Sequence, residues 1–203
     1  MRVSASSDVS RETKARLETY ADLLRKWNPK INLVSKSTMD DLWSRHIIDS
    51  AQIYALAPHP IEHWVDLGSG GGFPGLVIAI MAADQGSPQK TTLVESDARK
   101  CAFLRTVIRE TGVSATVMNE RIEALPDLEA DILSARALGS LELLLSFADR
   151  HLATTGTAIF PKGANWEKEL PDAQSKWNFD YQLVKSETES GPVIMKITGV
   201  ARA

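Results

Sequence analysis

The stretch that decides the fold is Asp66-Leu-Gly-Ser-Gly-Gly-Gly-Phe73. Residues 63–67 lead into it with the composition of a buried strand, and residues 75–83 after it are apolar enough for a buried helix. In doubly wound sheets a glycine-rich turn between the first strand and its helix binds nucleotides, because glycine accepts positive φ and its missing Cβ lets a ligand approach the backbone. The stretch therefore predicts an α/β fold with a nucleotide-type cofactor at this turn.

Beyond this turn the chain alternates between strand and helix patterns. We predict strands at 63–67, 90–95, 115–119, 131–135 and 156–161, with helices at 75–83, 99–111 and 140–151. Such alternation predicts a parallel sheet with helices on both faces. Two last strands, 181–186 and 193–200, are joined by a turn around Gly191-Pro192, so we expect them to form an antiparallel hairpin edge. Together these elements predict a mostly parallel, seven-stranded sheet.

Two helical patterns precede the sheet. The first covers 10–27 and is expected to stop at Asn28-Pro29, because the residue before proline avoids the helical region. The second covers 38–56, with Ser37 or Thr38 as its N-cap. We expect residues 1–60 to form a helical extension packed on a cofactor-binding core of residues 61–203, as one compact unit.

Composition limits the class of protein. Apolar residues make up 43% of the chain and charged residues 24%, as in ordinary globular proteins. No stretch is long and apolar enough to span a membrane, and Met1–Ser10 lacks the apolar middle of a signal peptide. Cys101 is the single cysteine, and the histidines lack metal-ligand spacing. We expect a cytoplasmic protein without a metal, and the net charge of -3 gives no overall indication of nucleic acid.

The glycine-rich turn favours S-adenosyl-L-methionine over a dinucleotide. A dinucleotide fingerprint would place glycine at 68, 70 and 73, but Phe73 occupies the third position and Pro74 removes a backbone donor. S-adenosylmethionine has no phosphate and needs no anion site of that kind. It carries a sulfonium and an ammonium, and we expect Asp66 to favour that positive end. Gly68 and Gly70 are the expected cofactor-contacting glycines.

Two later segments are consistent with an adenosine cofactor. Glu95 ends the second strand, where a carboxylate can accept hydrogen bonds from both ribose hydroxyls and would repel a 2′-phosphate. Ile122 and Glu123 follow the third strand, where the adenine passes in this architecture. We expect Ile122 to pack on the ring and Glu123 to read its edge. A methyltransferase is the reading that these residues favour.

Several segments together resemble the ribosomal small-subunit RNA methyltransferase G family. Besides residues 66–75, they are Asn32-Leu-Val34 with Arg45-His-Ile-Ile-Asp-Ser50, Lys100 with Phe103-Leu-Arg105, Ser134-Ala-Arg-Ala137 with Ser140-Leu141, and Lys162-Gly163. The resemblance covers residues 15–200, in the same order and with similar spacing. The chain departs from the family pattern at Ala135, inside Ser-x-Arg-Ala, and at Phe160-Pro161 before Lys162.

The resemblance implies a class I Rossmann-like methyltransferase that acts on N7 of one guanine in the decoding-region loop of 16S ribosomal RNA, within the small ribosomal subunit. It implies that the cofactor is held by Gly68, Phe73, Ile122, Glu123 and Arg136, to which the residues themselves add Gly70 and Glu95. Arg136 and Lys162 are candidate substrate contacts. His46 lies near Asp49, and a structural His–Asp contact and a catalytic part both remain open.

The chemistry of N7 methylation fits what the chain contains. Guanine N7 has a free lone pair in the ring plane, so in-line transfer requires no general base and the protein supplies orientation. Enzymes that methylate exocyclic amines resemble one another in an Asn/Asp-Pro-Pro-aromatic motif after the fourth strand, and residues 134–138 contain neither proline nor an aromatic residue. RNA 5-methylcytosine enzymes of this architecture use a cysteine nucleophile. Cys101, the only thiol, lies on the helix after the second strand, away from that site.

Other functions remain open from the sequence. One is a methyltransferase for a small molecule or a protein, with the amino-terminal helices as a lid. Another is a non-catalytic module that binds cofactor or RNA, and a nicotinamide oxidoreductase is disfavoured by Phe73. We expect a monomer. Basic residues that form either RNA-facing patches or ordinary solvated faces are Arg25, Lys26, Lys30, Lys36, Arg99, Lys100, Arg105 and Arg109.

Overall fold

The computed structural model describes residues 9–188 and 190–203. Seven strands form one sheet: β1 (His63–Leu67), β2 (Lys90–Val94), β3 (Thr116–Met118), β4 (Ala130–Ala135), β5 (Leu152–Lys162), β6 (Trp177–Lys185) and β7 (Val193–Arg202). Their order across the sheet is β3-β2-β1-β4-β5-β7-β6. Six α-helices accompany them: α1 (Arg11–Ile31), α2 (Asp49–Leu56), α3 (Gly75–Gln85), α4 (Ala98–Thr111), α5 (Leu141–His151) and α6 (Trp166–Gln174).

The strand pairing confirms the predicted sheet. Strands β1 to β5 pair in parallel, while β7 runs antiparallel to both β5 and β6. From β1 the chain first builds outward through β2 and β3 and then returns to place β4 on the other side of β1. The crevice between the carboxyl ends of β1 and β4 is therefore the topological switch point, where ligands bind in open α/β sheets.

Both faces of the sheet are covered by helices. Trp64 of β1 lies on the face with α1, α3 and α4, in one cluster with Tyr20, Ile78 and Phe103. The next residue, Val65, points to the opposite face and clusters with residues of α5 and with the outer strands. Within the described residues, no helix is both long and apolar enough to cross a bilayer.

Helix α1 does not stop at Asn28-Pro29 as predicted, but continues to Ile31. The Asn28 side chain is buried, and its Oδ1 accepts hydrogen bonds from the N–H groups of Leu33 (2.7 Å) and Val34 (2.9 Å). Asn32 then ends the helix in the left-handed conformation, with φ of 50°. These bonds hold the last turn together beyond the proline, so the usual bias before proline is overridden.

The second amino-terminal helix begins later than predicted. Residues Lys36–Thr38 form one 3-10 turn, and the continuous helix starts with a π-helical segment, Trp43–Ile48, before α2. The Thr38 hydroxyl bonds to Ser35 O (3.0 Å) and to His46 Nε2 (2.9 Å). Neither Ser37 nor Thr38 is the N-cap of this helix, since Leu42 occupies that position without a capping side chain.

One helix was missed altogether. The sequence prediction has no element between 161 and 181, where the structure has α6 and the first part of β6. Trp166, Leu170 and Ala173 follow helical spacing, but α6 has only nine residues and contains Pro171. Proline is unfavourable inside a helix, so the sequence does not predict one here. Glu169 belongs to this helix.

A buried carboxylate joins three elements beneath the glycine-rich turn. Asp66 of β1 is fully buried; its Oδ1 accepts from the Ser134 hydroxyl of β4 (2.8 Å), and its Oδ2 accepts from the N–H of Gly75, where α3 begins (3.2 Å). Burial raises the pKa of Asp66 to about 6, although the hydrogen bonds from Ser134, Ser69 and Gly75 oppose this. Asp66 thus serves the fold, and its carboxylate is turned toward α3 and β4.

The amino-terminal segment packs on the sheet domain. Helix α1 contacts α3 and α4, and its Leu24 and Tyr20 are fully buried. We propose that the described part of the extension, residues 9–60, and the core of residues 61–203 fold as one cooperative unit. Residues 1–8 of the predicted extension lie outside the described residues.

Replacing Leu24 by alanine tests this unit. We expect Leu24→Ala to lower the free energy of unfolding by about 2–5 kcal/mol, because it leaves a cavity in the α1 interface. Leu183→Ala, at a side chain that is 42% exposed, is the matched control and should change little. Urea unfolding followed by circular dichroism and tryptophan fluorescence measures both. Two separate transitions would show that α1 folds independently.

The buried carboxyl of Asp66 predicts a pH dependence of stability. Between about pH 4 and pH 6 the unfolded chain ionises this group while the folded protein keeps its proton, so stability falls as pH rises through this window. The shift corresponds to about 3 kcal/mol. The asparagine side chain cannot ionise, so the free energy of unfolding of Asp66→Asn, taken relative to that of the wild type, should rise by about this amount between pH 4 and pH 7. Denaturant titrations at each pH measure it. The exposed variant Asp172→Asn should follow the wild type, and parallel curves for all three proteins would refute the assignment.

Candidate cofactor and substrate cavities

The glycine-rich turn has a backbone shape that side chains would disturb. Gly68 has φ of +62°, in the left-handed region, and a Cβ there would lie 2.6 Å from Leu138 Cδ1. Gly71 faces the amino-terminal segment instead, where a Cβ would lie 3.0 Å from the backbone oxygen of Leu33. The turn is thus held closely between the segment after β4 and the segment after α1.

The amino-terminal segment supports the turn from behind. The buried Tyr20 hydroxyl donates to the backbone oxygen of Gly71, and Asn28 fixes the backbone of Leu33 and Val34 against it. The pKa of Tyr20 is raised well above its usual value by burial, so this hydroxyl keeps its proton. The Asn32-Leu33-Val34 segment, quoted above for the family resemblance, therefore has a structural role that the sequence alone did not reveal.

The first cavity opens at the carboxyl ends of β1, β2 and β3. Its volume is about 390 Å³. Five of the predicted cofactor residues line it, namely Gly68, Gly70, Glu95, Ile122 and Glu123. Apolar walls come from Val94, Leu138, Leu143 and Phe147, and polar ones from Ser96, Lys100, Glu120 and Arg121.

Glu95 lines this cavity with a fixed orientation. One carboxylate oxygen accepts from the N–H of Gly70 (2.9 Å) and the other from the N–H of Asp97 (2.8 Å). Each oxygen keeps a lone pair for a further donor. The Cys101 thiol donates to the backbone oxygen of Glu95 (3.1 Å) and is buried, so it lies behind the strand and not in the cavity.

The segment that carries Ile122 and Glu123 is anchored by a residue that sequence reasoning missed. Ile122–Ala124 form a single 3-10 turn after β3. Arg150, in the last turn of α5, donates to the backbone oxygens of Glu123 (2.8 Å) and Leu125 (2.5 Å). No local pattern links residues 27 positions apart, so only the folded chain reveals this anchor.

A second cavity, of about 470 Å³, adjoins the first. Its walls come from the segment before α2, the segment after β4, the end of β5, the start of α6 and the start of β7; they include His46, Asp49, Arg136, Lys162, Asn165, Glu169 and Ile194. Ala137 lines both cavities. It has φ of +54°, which is uncommon for alanine and marks the junction as a backbone conformation held by its surroundings.

Three of the predicted residues form a stack beside this second cavity. The His46 ring stacks on Phe73 with 4.9 Å between ring centroids, and the Arg136 guanidinium lies 5.1 Å from the centre of the same ring. Phe73 is buried and lines neither cavity, so of the other predicted cofactor residues the structure places Arg136 against its ring and groups the remaining five in the first cavity. Arg136 lines the second cavity and not the first. Its guanidinium donates to the backbone oxygen of Arg45 (3.3 Å).

His46 is neutral at ordinary pH. Burial, followed by the charges of Arg136 and Arg45, lowers the pKa of His46 to about 4. Its Nε2 is hydrogen-bonded to the Thr38 hydroxyl. The structural contact expected from the sequence was with Asp49 instead. Burial likewise lowers the pKa of Arg136.

Lys162 ends β5 inside the second cavity. Its side chain is 7% exposed, and its ammonium donates to Glu169 Oε2 (2.8 Å) and to the backbone oxygen of Gly139 (3.1 Å). The same Oε2 accepts from the N–H of Leu141 (2.6 Å), which ties α6 to the start of α5. Glu169 was missed because α6 was missed.

Several of the basic residues considered as RNA contacts form local ion pairs. Arg25 pairs with Asp22, Arg99 with Asp97, and Arg109 with Glu110, all at the surface. Among residues 9–188 and 190–203, no group of three or more histidine, cysteine or acidic side chains could hold a metal ion.

Known structures show the same fold. A TehB-like SAM-dependent methyltransferase from Corynebacterium glutamicum matches with a TM-score of 0.57 and 17% identity, over 91% of this chain and 98% of that chain. A ribosomal protein L11 methylase from Lactobacillus delbrueckii matches with a TM-score of 0.58 and 14% identity, over 76% of this chain and 78% of that chain. At these identities the likeness shows the Rossmann-like methyltransferase fold.

Sequence comparison reaches further. Proteins named ribosomal RNA small subunit methyltransferase G are 56% identical in Ruegeria sp. (strain TM1040) and 59% identical in Ruegeria pomeroyi, each over 96% of this chain and 95% of the relative. The protein of that name from Paracoccus denitrificans is 50% identical over 96% of this chain and 99% of its own length. A family model described as rRNA small subunit methyltransferase G matches residues 13–193. The chain belongs to the rRNA small subunit methyltransferase G family.

Proposed function

We propose that this protein transfers a methyl group from S-adenosyl-L-methionine to N7 of one guanine in the decoding-region loop of 16S ribosomal RNA, within the small ribosomal subunit. The observation that carries the proposal is the pair of cavities that meet at Ala137. One is lined by the residues predicted to hold the adenosine part of the cofactor, and the other by cationic and acidic side chains. Family membership supports the same activity.

The residues of the first cavity fit the cofactor. Glu95 has lone pairs for two ribose hydroxyls, Ile122 offers an apolar surface to adenine, and Glu123 lies beside it with acceptor oxygens. Gly68 keeps the backbone open where a Cβ would meet Leu138. When bound, S-adenosylmethionine supplies a methyl group on a sulfonium, which leaves as a neutral thioether. We propose that the direct contacts of the cofactor are Gly68, Gly70, Glu95, Ile122 and Glu123. Phe73 contributes indirectly, by supporting the turn from beneath.

The second cavity fits a nucleobase from RNA. Arg45, Arg136 and Lys162 line it together with the acidic Asp49 and Glu169, so its wall offers both hydrogen-bond donors and acceptors to a base. Its volume is in the range of ordinary ligand pockets and suits one unstacked base. Mixed donors and acceptors suit the edge of a nucleobase, and family membership favours RNA as the methyl acceptor.

The chain's own part in the reaction is to orient and not to move a proton. N7 of guanine has a free lone pair, so no general base is required. His46 is neutral with its pKa near 4, and its Nε2 is engaged by Thr38. We therefore assign His46 to the support of Phe73 and Arg136, and Arg136 to the acceptor side, where its guanidinium can donate to a base oxygen or an RNA phosphate.

The proposed substrate also suggests where and how the protein works. We propose a monomer in the cytoplasm that recognises the small subunit by local shape and charge, since the overall charge of -3 opposes strong binding to naked RNA.

The direct test is methyl transfer to small ribosomal subunits that lack the modification. With labelled cofactor, we expect label in 16S RNA and, after digestion, in 7-methylguanosine. Subunits that already carry the modification serve as the control and should accept no label. Tight cofactor binding without transfer to any ribosomal fraction would favour a non-catalytic module. Any labelled nucleoside other than 7-methylguanosine would refute the N7 assignment.

The role of Glu95 is tested by cofactor binding alone. Glu95→Gln should weaken S-adenosylmethionine binding by about 10- to 100-fold, because one carboxylate oxygen is replaced by an NH2 donor and the other becomes a neutral acceptor. Isothermal titration calorimetry measures the dissociation constant. Glu110→Gln, which removes a surface acid on α4, is the matched control. Equal affinities for both variants would exclude Glu95 as a ribose ligand.

A further inference from the structure

The second cavity contains a donor and an acceptor side by side. The Lys162 ammonium and the Glu169 carboxylate are 2.8 Å apart, and both side chains line the cavity. Lys162 uses two of its three N–H groups on Gly139 and Glu169. Glu169 uses Oε2 for both of its hydrogen bonds, and within the described residues Oε1 has no hydrogen-bond partner. One N–H and one carboxylate oxygen thus remain for a ligand.

This arrangement is more than a brace for the fold. A buried ion pair contributes little net stability, because the loss of hydration offsets the attraction. The bond from Leu141 N to Glu169 Oε2 accounts for one oxygen only. The second oxygen belongs to a side chain that is 30% exposed and is among those that line the second cavity.

The hydrogen-bonding groups of guanine, the proposed methyl acceptor, match such a pair. Guanine and adenine both carry N7, so the methylated atom itself cannot distinguish them. They differ along the six-membered ring: guanine has an acceptor, O6, next to the donors N1–H and the 2-amino group, whereas adenine has a donor next to an acceptor. An ammonium beside a carboxylate matches the guanine order and opposes the adenine order.

We propose that Lys162 and Glu169 form the guanine-selective site, in which Lys162 donates to O6 and Glu169 Oε1 accepts from N1–H and the 2-amino group. The inference rests on the proposed function and names the specificity-determining residues for it. O6 lies between N7 and N1 on the base, so a donor at O6 leaves N7 uncovered for the reaction. The Watson–Crick edge must be unpaired for this contact, as it is for bases that proteins read outside a helix.

The test compares guanine with inosine at the target position. Small subunits are reconstituted with 16S RNA carrying either base; inosine keeps O6, N7 and N1–H and lacks only the 2-amino group. For the wild type, kcat/KM should be about tenfold higher with guanine than with inosine. In Glu169→Gln this preference should fall below about threefold, with activity on guanine reduced mainly through KM. Glu142→Gln, which breaks the exposed pair with Lys176, is the matched control and should keep the wild-type preference.

The outcomes separate the inference from the proposed function. A purely structural Glu169 would lower activity on both substrates by the same factor, and an unchanged guanine-to-inosine ratio in Glu169→Gln would overturn the inference while leaving N7 methylation intact. If Glu169→Gln does not fold, the wild type decides by itself, since equal activity on guanine and inosine would also overturn it. A wild type that methylates no subunit substrate would overturn the proposed function and this inference together.

Discussion

The carboxylate of Asp66 is the joint on which the rest of the structure depends. It lies at the end of β1 without solvent, bonds to Ser134 in the neighbouring β4, and receives the first N–H of α3 at Gly75. It therefore links β1 to β4 and to the start of α3, directly beneath the glycine-rich turn. Gly75 admits this contact because a Cβ there would lie 2.7 Å from the same carboxylate. Both cavities open at the crevice that this joint defines.

The two cavities depend on different parts of the chain. The first belongs to the sheet, since the carboxyl ends of β1 and β2, the turn after β3 and α5 build it. The second needs residues from before α2, from α6 and from β7. Between them, Phe73 is stacked on His46 and lies beneath Arg136. A change in the amino-terminal segment can thus reach the cofactor turn through Tyr20 and the acceptor side through His46.

The sheet could be predicted because each of its elements has a local pattern, namely apolar strands, helical spacing and glycine at the turn. The same holds for Gly68, Gly70, Glu95, Ile122 and Glu123, whose positions at strand ends bring them to one cavity. What escaped prediction depends on side-chain to backbone bonds that leave no pattern in the sequence. Arg150 acts on backbone oxygens of another segment, and Asn28 outweighs the proline that follows it. Helix α6 is short and contains Pro171, which argues against a helix in the sequence, so Glu169 could not be placed.

The place of β7 has a consequence for how the protein is made. This strand is synthesised after β6 but lies inside it, between β5 and β6. During translation β5 therefore has no partner on that side until residues 193–202 have left the ribosome, and β6 cannot take its final position before them. Val193 and Ile194 also line the second cavity. The residues that line the first cavity are all synthesised by Phe147, whereas the lining of the second cavity is complete only when the last strand has been made.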